Sequence, residues 1–400
     1  MQVMGLVVLF WIVSTSVFST SCSSGNLPSQ ETENMKSEVP VPKSPLDPSP
    51  SSIIPSRGDW RIDKQKFPSK VDLKKVVRVP SSQIVFAASS DGRLFRTDPA
   101  SGTWTQISDV LDTSFVDIAF LSESIGVAIV RDNVPLYKTD AEYRLMETED
   151  GGVNWSTTFS RRAPMLTKLA AGHGVVIAVG GTWDFEPTGD NNHFVLLSLD
   201  LGKSWEDISG RLNRASPKMG DRVLDYSTAV DISGNGEVYV LSIHGLVYQG
   251  APDVSEFHLV ADFRDLRDQT GFYQLRITDN GSIWASGGAM SMEGYWGFIA
   301  NASGDTAMSH RLDRHYFSDI LVNSDDSIIA AGSIIRPPDY KGPEDMIAGG
   351  IFFSENQGKD WSIVYKSSRS SEFTSILQLS NSDFLIVGKK GELVRLTKKV

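Results

Sequence analysis

The feature that most limits what this chain can fold into is a short pattern that returns about every fifty residues. The stretch "SLDLGKSW" places Ser198, Asp200, Gly202 and Trp205 at the same offsets as Thr148, Asp150, Gly152 and Trp155 in "TEDGGVNW". In "SENQGKDW" the offsets recur as Ser354, Asn356, Gly358 and Trp361, with asparagine in the aspartate's place. Counted by the large residue that closes each unit, the marks fall at Trp104, Trp155, Trp205, Phe257, Met308 and Trp361, 50 to 53 residues apart. Phe257 and Met308 mark degenerate copies. Each unit is filled by short apolar runs such as "QIVFAASS", "GVAIV", "EVYVLSI" and "DFLIVGK", bounded by Gly, Asp, Asn or Ser. No long stretch carries apolar residues at helical spacing, so the pattern is one of many short strands and the fold class is all-β.

Units of about 50 residues with four strands each are the signature of a β-propeller, in which sheets pack face to face around an axis. The last unit supplies only three strands, "FTSILQLS", "DFLIVGKK" and "ELVRLTK". A stray strand near the start, "DWRIDKQKF", opens with a tryptophan as the other fourth strands do. Residues 60 to about 67 are therefore expected to complete the last blade and close a ring of seven.

The repeated motif has a physical reading as a hairpin staple between third and fourth strands. Asp200 can accept from turn N–H groups that lack partners, with Ser198 in support. Gly202 supplies a positive φ, and Trp205 buries a large ring between blades. The "NWS" at Asn154 falls inside such a turn and is not read as a glycosylation site. The motif resembles the Asp-box, or bacterial neuraminidase repeat, S/T-x-D-x-G-x-x-W. The chain thus resembles the Asp-box propellers, which include sialidases, sortilin-type receptors, xyloglucan-cleaving glycosidases and the photosystem II assembly-factor propellers. The resemblance implies that the boxes lie on one face, while second-to-third strand loops and blade-to-blade loops form the other.

Those loops are uneven. Four second-to-third connections are read as long: 131–144, 181–194, 288–297 and 336–349. They mix Tyr137, Trp183, Tyr295, Trp296 and Tyr340 with Arg131, Arg144, Asp190, Arg336 and Asp339. Aromatics beside arginines and carboxylates suit a binding surface for a protein or a glycan. A sialidase would need three arginines around a carboxylate and a tyrosine nucleophile. Arg161, Arg162, Arg222, Arg276 and Arg336, with Tyr273 or Tyr316, supply the residue types, but no spacing selects a set. Glycoside hydrolysis stands as the alternative to a non-enzymatic scaffold, and no catalytic residue is assigned.

The six histidines show no close ligand pair, the glycines open no phosphate-binding helix, and no metal or cofactor is expected. A net charge of −11 argues against nucleic acid as a partner. The single cysteine, Cys22, excludes an internal disulfide and is explained by its position. It follows an apolar run and small hydroxyl residues, so 1–21 reads as a signal peptide. This start resembles a bacterial lipoprotein signal, which implies export and a lipid on Cys22; simple signal cleavage and a retained anchor are the other readings. Residues 22–58, rich in Pro and Ser, read as a linker with nothing to bury, and 59–400 as the propeller.

Overall fold

The computed structural model describes residues 49–50, 52–54 and 59–399, apart from 98–101, 111, 133–140, 163, 182–191, 218–224, 252, 265–269, 292–293, 305, 336–345 and 371. The signal segment and Cys22 lie outside the described residues.

Seven sheets follow one another along the chain, each built on four antiparallel strands, in sequence order in the first six, while the seventh takes its fourth strand from nearer the N-terminus. The chain is a seven-bladed β-propeller. The innermost strands, in blades one to seven, are Leu73–Arg78, Thr113–Phe120, Met165–Gly172, Ser227–Ile232, Thr270–Ile277, His315–Val322 and Phe373–Ser380. The second strands Val85–Ser89, Val175–Gly181 and Ile328–Ile335 are buried at every position. A neighbouring blade covers each face of such a strand, which is why the sequence shows continuous apolar runs instead of strict alternation. The core is accordingly divided into seven apolar clusters, one between each pair of neighbouring blades. Between blades one and two, for example, Phe86 and Phe120 stack with centroids 3.7 Å apart.

The ring closes as the sequence implies. Trp60–Gln65 pairs antiparallel with Leu393–Lys398, from Trp60 opposite Lys398 to Gln65 opposite Leu393. The Trp60 ring meets Phe353 edge-on at 5.0 Å, so the closing strand also packs against blade six. Blades four and five, degenerate at the motif, are complete: Phe257–Asp262 and Thr306–Asp313 are their outer strands. In blade three the outer strand is only Glu206–Asp207, and a short helix, Ser209–Ala215, follows it.

The 22–58 linker requires correction over its last residues. Ser49–Pro50 pairs in parallel with His310 and Arg311 on the outer edge of blade five. Ser52–Ile54 then pairs in parallel with Asp360, Trp361 and Ser362 on blade six. These residues bury little, since Ile53 and Ile54 are exposed; the free backbone groups of the two outer strands hold them.

The three repeated turns share one geometry. In the second, the Ser198 hydroxyl accepts from the Gly202 amide at 2.8 Å, and Asp200 accepts from the Ser204 amide at 2.9 Å and its hydroxyl at 2.6 Å. In the first, Asp150 takes the Asn154 amide and side chain in the same way. The third reverses polarity: Asn356 Oδ1 accepts from the Asp360 amide at 2.8 Å while its own Nδ2 donates to Asp360 Oδ2 at 2.8 Å. The asparagine there is matched by an aspartate four residues on, which preserves both bonds. Gly202 has φ +96°, and a Cβ on it would lie 2.6 Å from Val127 of blade two. The turn therefore seats directly on the preceding blade. Trp205 donates to Thr158 Oγ1 of that blade at 3.0 Å, and Trp361 is fully buried between blades five and six.

Hydrogen bonds from Ser204 hold the Asp200 carboxyl down to about 2. Asp200→Ala should cost roughly 1–2 kcal/mol in urea unfolding, the lower part of the range for orphaned turn donors because solvent reaches this turn. Asp200 has a depressed folded-state value, so its contribution is present above about pH 4 and lost as pH falls toward 2. The gap between wild type and variant should therefore close in acid; a gap that does not narrow would remove the carboxylate from this role.

Candidate functional site

The structure separates the residues expected on the loop face. Tyr137, Trp183, Asp190, Arg336, Asp339 and Tyr340 lie outside the described residues. Arg131 lies opposite Tyr143 and Arg144 opposite Val130 at the ends of paired strands in blade two, which puts the two arginines on opposite faces of the sheet; Arg144 Nη2 reaches Asp132 Oδ1 at 3.2 Å. The 288–297 connection requires correction. It is no long loop, because strands Ile283–Ser291 and Gly294–Ser303 pair along their whole length, with Tyr295 opposite Met290. Trp296, opposite Ala289, is only 6% exposed and packs in the cluster between blades four and five, with the Arg311 guanidinium 5.5 Å over its ring. It is a core residue and offers no platform to a ligand.

The central channel carries a constellation that no local motif announces. Each inner strand shifts register near its start, between Leu73 and Lys75, Phe115 and Asp117, and at corresponding places in the other five. At or just after the shift stand Lys75, Asp117, Lys168, Asp231, Arg276 and Asp319, one per blade from one to six, alternating in sign. Each aspartate joins two blades. Asp117 accepts from the Ile118 amide and from Leu169 of blade three, both at 3.1 Å. Asp231 takes Ile232 at 3.0 Å and Ile277 of blade five at 2.9 Å. Asp319 takes Ile320 and Ile376 of blade seven, both at 3.0 Å, with the Ser375 hydroxyl at 3.2 Å and Arg276 Nη2 at 2.7 Å. Burial acts to raise the Asp319 carboxyl, but Arg276, Lys75 and Lys168 bring it below the ordinary range. For Asp231, burial wins and the shift is upward.

At the end of the channel where the inner strands begin, blades five, six, seven and one meet. The Tyr273 and Tyr316 rings lie 6.4 Å apart, and burial raises both phenols, so each is a neutral donor. Glu372 accepts from Ser318 at 2.7 Å and pairs with Lys389 at 2.9 Å. Lys74 stands beside them; burial lowers it, while the field of Glu372 acts the other way. Of the arginines a sialidase could recruit, Arg161 lies on an outer strand over Phe194, and Arg276 is engaged with Asp319. They do not converge on Tyr273 or Tyr316; Arg222 and Arg336 lie outside the described residues.

Beneath this face, between blades three and four, His193, Asp225 and Ser227 form a fully buried set. The Ser227 hydroxyl lies 3.0 Å from His193 Nδ1, and Asp225 Oδ2 is 3.7 Å from Nε2. A hydrolase needs an exposed serine activated by one ring nitrogen and a carboxylate orienting the other. Here Ser227 is sealed from solvent, so the set is structural. Burial pushes Asp225 up to about 7 and His193 down to about 3.

With the geometry in place, comparison with known proteins is informative for architecture. A scan against models of protein families finds no match, and neither does a search of curated proteins. Solved structures do match. YCF48 bound to D1 peptide is 17% identical with a TM-score of 0.53, covering 87% of this chain and 99% of that one. YCF48 from Cyanidioschyzon merolae is 15% identical with a TM-score of 0.56, covering 86% and 100%. The extracellular domain of the putative hybrid two component system BT4673 from B. thetaiotaomicron is 8% identical with a TM-score of 0.55, covering 84% of this chain and 39% of that one. At these identities the likeness is one of fold.

Two measurements check the buried groups. Asp319→Ala should cost about 3–5 kcal/mol in chemical denaturation, since it strands Arg276 and two amides, and Arg276→Leu with Asp319→Ala should recover part of that. Full additivity of the two losses would contradict the coupling. At His193 the lowered value means the wild type gains stability as pH rises from about 4 to 6.5, offset by Asp225, whose raised value works in the opposite sense. His193→Gln keeps only the Asp225 term. Relative to wild type it should lose about 1 kcal/mol per pH unit over that interval, and a constant difference would refute the assignment.

Proposed function

We propose that this chain is an exported, membrane-tethered scaffold that binds a protein partner on the face where the inner strands begin. The observation that carries this reading is the channel mouth there, where Lys74, Glu372, Lys389, Tyr273 and Tyr316 bring charge and aromatic donors together from four blades. No nucleophile with a matched base accompanies them among the described residues. Large neutral phenols beside ionic groups provide contact area and directional bonds, which is how a few residues come to dominate an interface. A YCF48 structure holding a D1 peptide supports a polypeptide as the class of partner, in the manner of an assembly factor. On the sequence, Tyr137, Trp183 and Tyr340 are further candidates for contact with this partner, and Asp-box turns stiffen the opposite face. The N-terminal signal and a lipid on Cys22 would hold the ring at a membrane, with the Pro-rich segment as spacer.

Capture from detergent-solubilised membranes tests this. The full chain should retain a specific protein that a Lys74→Glu, Trp183→Ala, Tyr340→Ala variant of unchanged melting temperature loses. If the variant retains it equally, the partner binds elsewhere and the reading fails. Glycan-array binding or glycoside cleavage without any captured protein would transfer the surface to a carbohydrate.

A further inference from the structure

The opposite end of the channel carries a pocket that the proposed interface leaves unused. The repeated turns share that end with the first hairpin of each blade: the Gly151 amide donates to the Ser124 carbonyl at 2.8 Å, joining the two in blade two. Where the inner strands of blades one, five, six and seven finish lies a pocket of about 400 Å³. Arg78 and Arg276 line it together with Leu321, Ile376, Leu377 and Leu379, and no acidic side chain is among its lining residues. Its size falls in the range of small-ligand sites.

The two guanidiniums are only partly used. Arg78 Nη1 donates to the Leu379 carbonyl at 2.9 Å. Arg276 gives Nη1 to the Leu275 carbonyl at 2.9 Å and Nη2 to Asp319. A guanidinium has five N–H donors, so both keep capacity for an incoming acceptor. The nearby carboxylates are committed: Asp319 already takes two amides and a hydroxyl besides Arg276, and Asp231 takes two amides. Further up the channel stands Lys168, lowered by burial and by Lys75 against the pull of Asp117 and Asp319. Arg276 is thus already paired with Asp319, so the positive charge open to a ligand at this end is chiefly that of Arg78, whose one bond is to a carbonyl, and aliphatic and uncharged polar residues share the adjoining wall.

We infer that this end of the channel binds an organic carboxylate carrying an apolar tail. The carboxylate accepts from Arg78 and Arg276, for which a forked pair of N–H donors is well matched in shape. The tail lies along Leu321, Ile376, Leu377 and Leu379. A fatty acid and the C-terminus of a peptide ending in an apolar residue share this chemistry. A cationic or uncharged amphiphile of the same size does not.

Calorimetric titration of the full chain separates these cases. Octanoate and N-acetylleucine serve as the carboxylate probes, with octanol and N-acetylleucinamide as their uncharged counterparts. At least one carboxylate should bind ten-fold or more tightly than its uncharged counterpart. Preference for octanoate identifies a lipid-derived ligand, and preference for N-acetylleucine a peptide terminus. Arg78→Gln removes a rim residue whose one bond, a solvent-exposed contact with the Leu379 carbonyl of blade seven, lies outside the carboxylate network of the axis. It should weaken the carboxylate at least five-fold, keep the wild-type melting temperature and leave partner capture on the other face unchanged. Equal binding of charged and uncharged probes, no binding of any probe at millimolar concentration, or an Arg78→Gln protein that binds like wild type would each overturn the assignment.

Discussion

The bond between a channel aspartate and the backbone of the next blade is what the ring geometry rests on. Apolar packing between blades is strong but has no direction, so by itself it lets neighbouring sheets slide or tilt. Asp117, Asp231 and Asp319 each take one amide from their own strand and one from the following blade, at 2.9 to 3.1 Å. This fixes blade two to three, four to five and six to seven at the axis, where a small error in angle would grow toward the rim. The remaining joints use other chemistry. Thr374 Oγ1 donates to the Leu73 carbonyl at 2.8 Å across the seam between blades seven and one, and Lys75 faces Asp117 at 3.8 Å between one and two. The cations on odd-numbered blades then keep three buried carboxylates from repelling one another around a narrow axis.

Much of this was legible in the sequence because the repeat is a property of the whole chain. The fifty-residue period gave the number of blades, and the tryptophan of "DWRIDKQKF" identified the strand that closes them. What could not be read depends on relations between distant segments. Trp296 sits in a glycine-rich stretch that resembles a loop, yet the glycine there answers to the close approach of the next blade: a Cβ on Gly288 would lie 2.6 Å from the Tyr316 ring of blade six. Lys75, Asp117 and Lys168 each look like a stray charge in an apolar strand, and their alternation emerges only when strands some 40 to 50 residues apart are laid side by side. Composition likewise hid the pairing of Ser52–Ile54, since a strand added to an exposed edge needs backbone groups and no apolar surface.

The two ends of the channel differ in the kind of recognition they favour. Where the inner strands begin, aromatic and ionic groups are spread over several blades, an arrangement that suits a broad partner. Where they end, short hairpins and hydrogen-bonded turns leave an open recess lined by two arginines and by aliphatic and uncharged polar residues. A ring whose joints are fixed at the axis can present both without one distorting the other, because neither set of side chains interrupts the carboxylate bonds between blades.

The path of the N-terminal segment has a mechanical meaning. Approached from the N-terminus, the chain pairs with blade five over two residues, with blade six over three, and only then enters blade seven as the six-residue strand that shuts the ring. Tension applied from that side meets the shortest pairings first and must strip them one after the other before any of it reaches Trp60. The seam is thereby shielded by two sacrificial contacts. They can break and re-form under a fluctuating load while the seven blades stay closed.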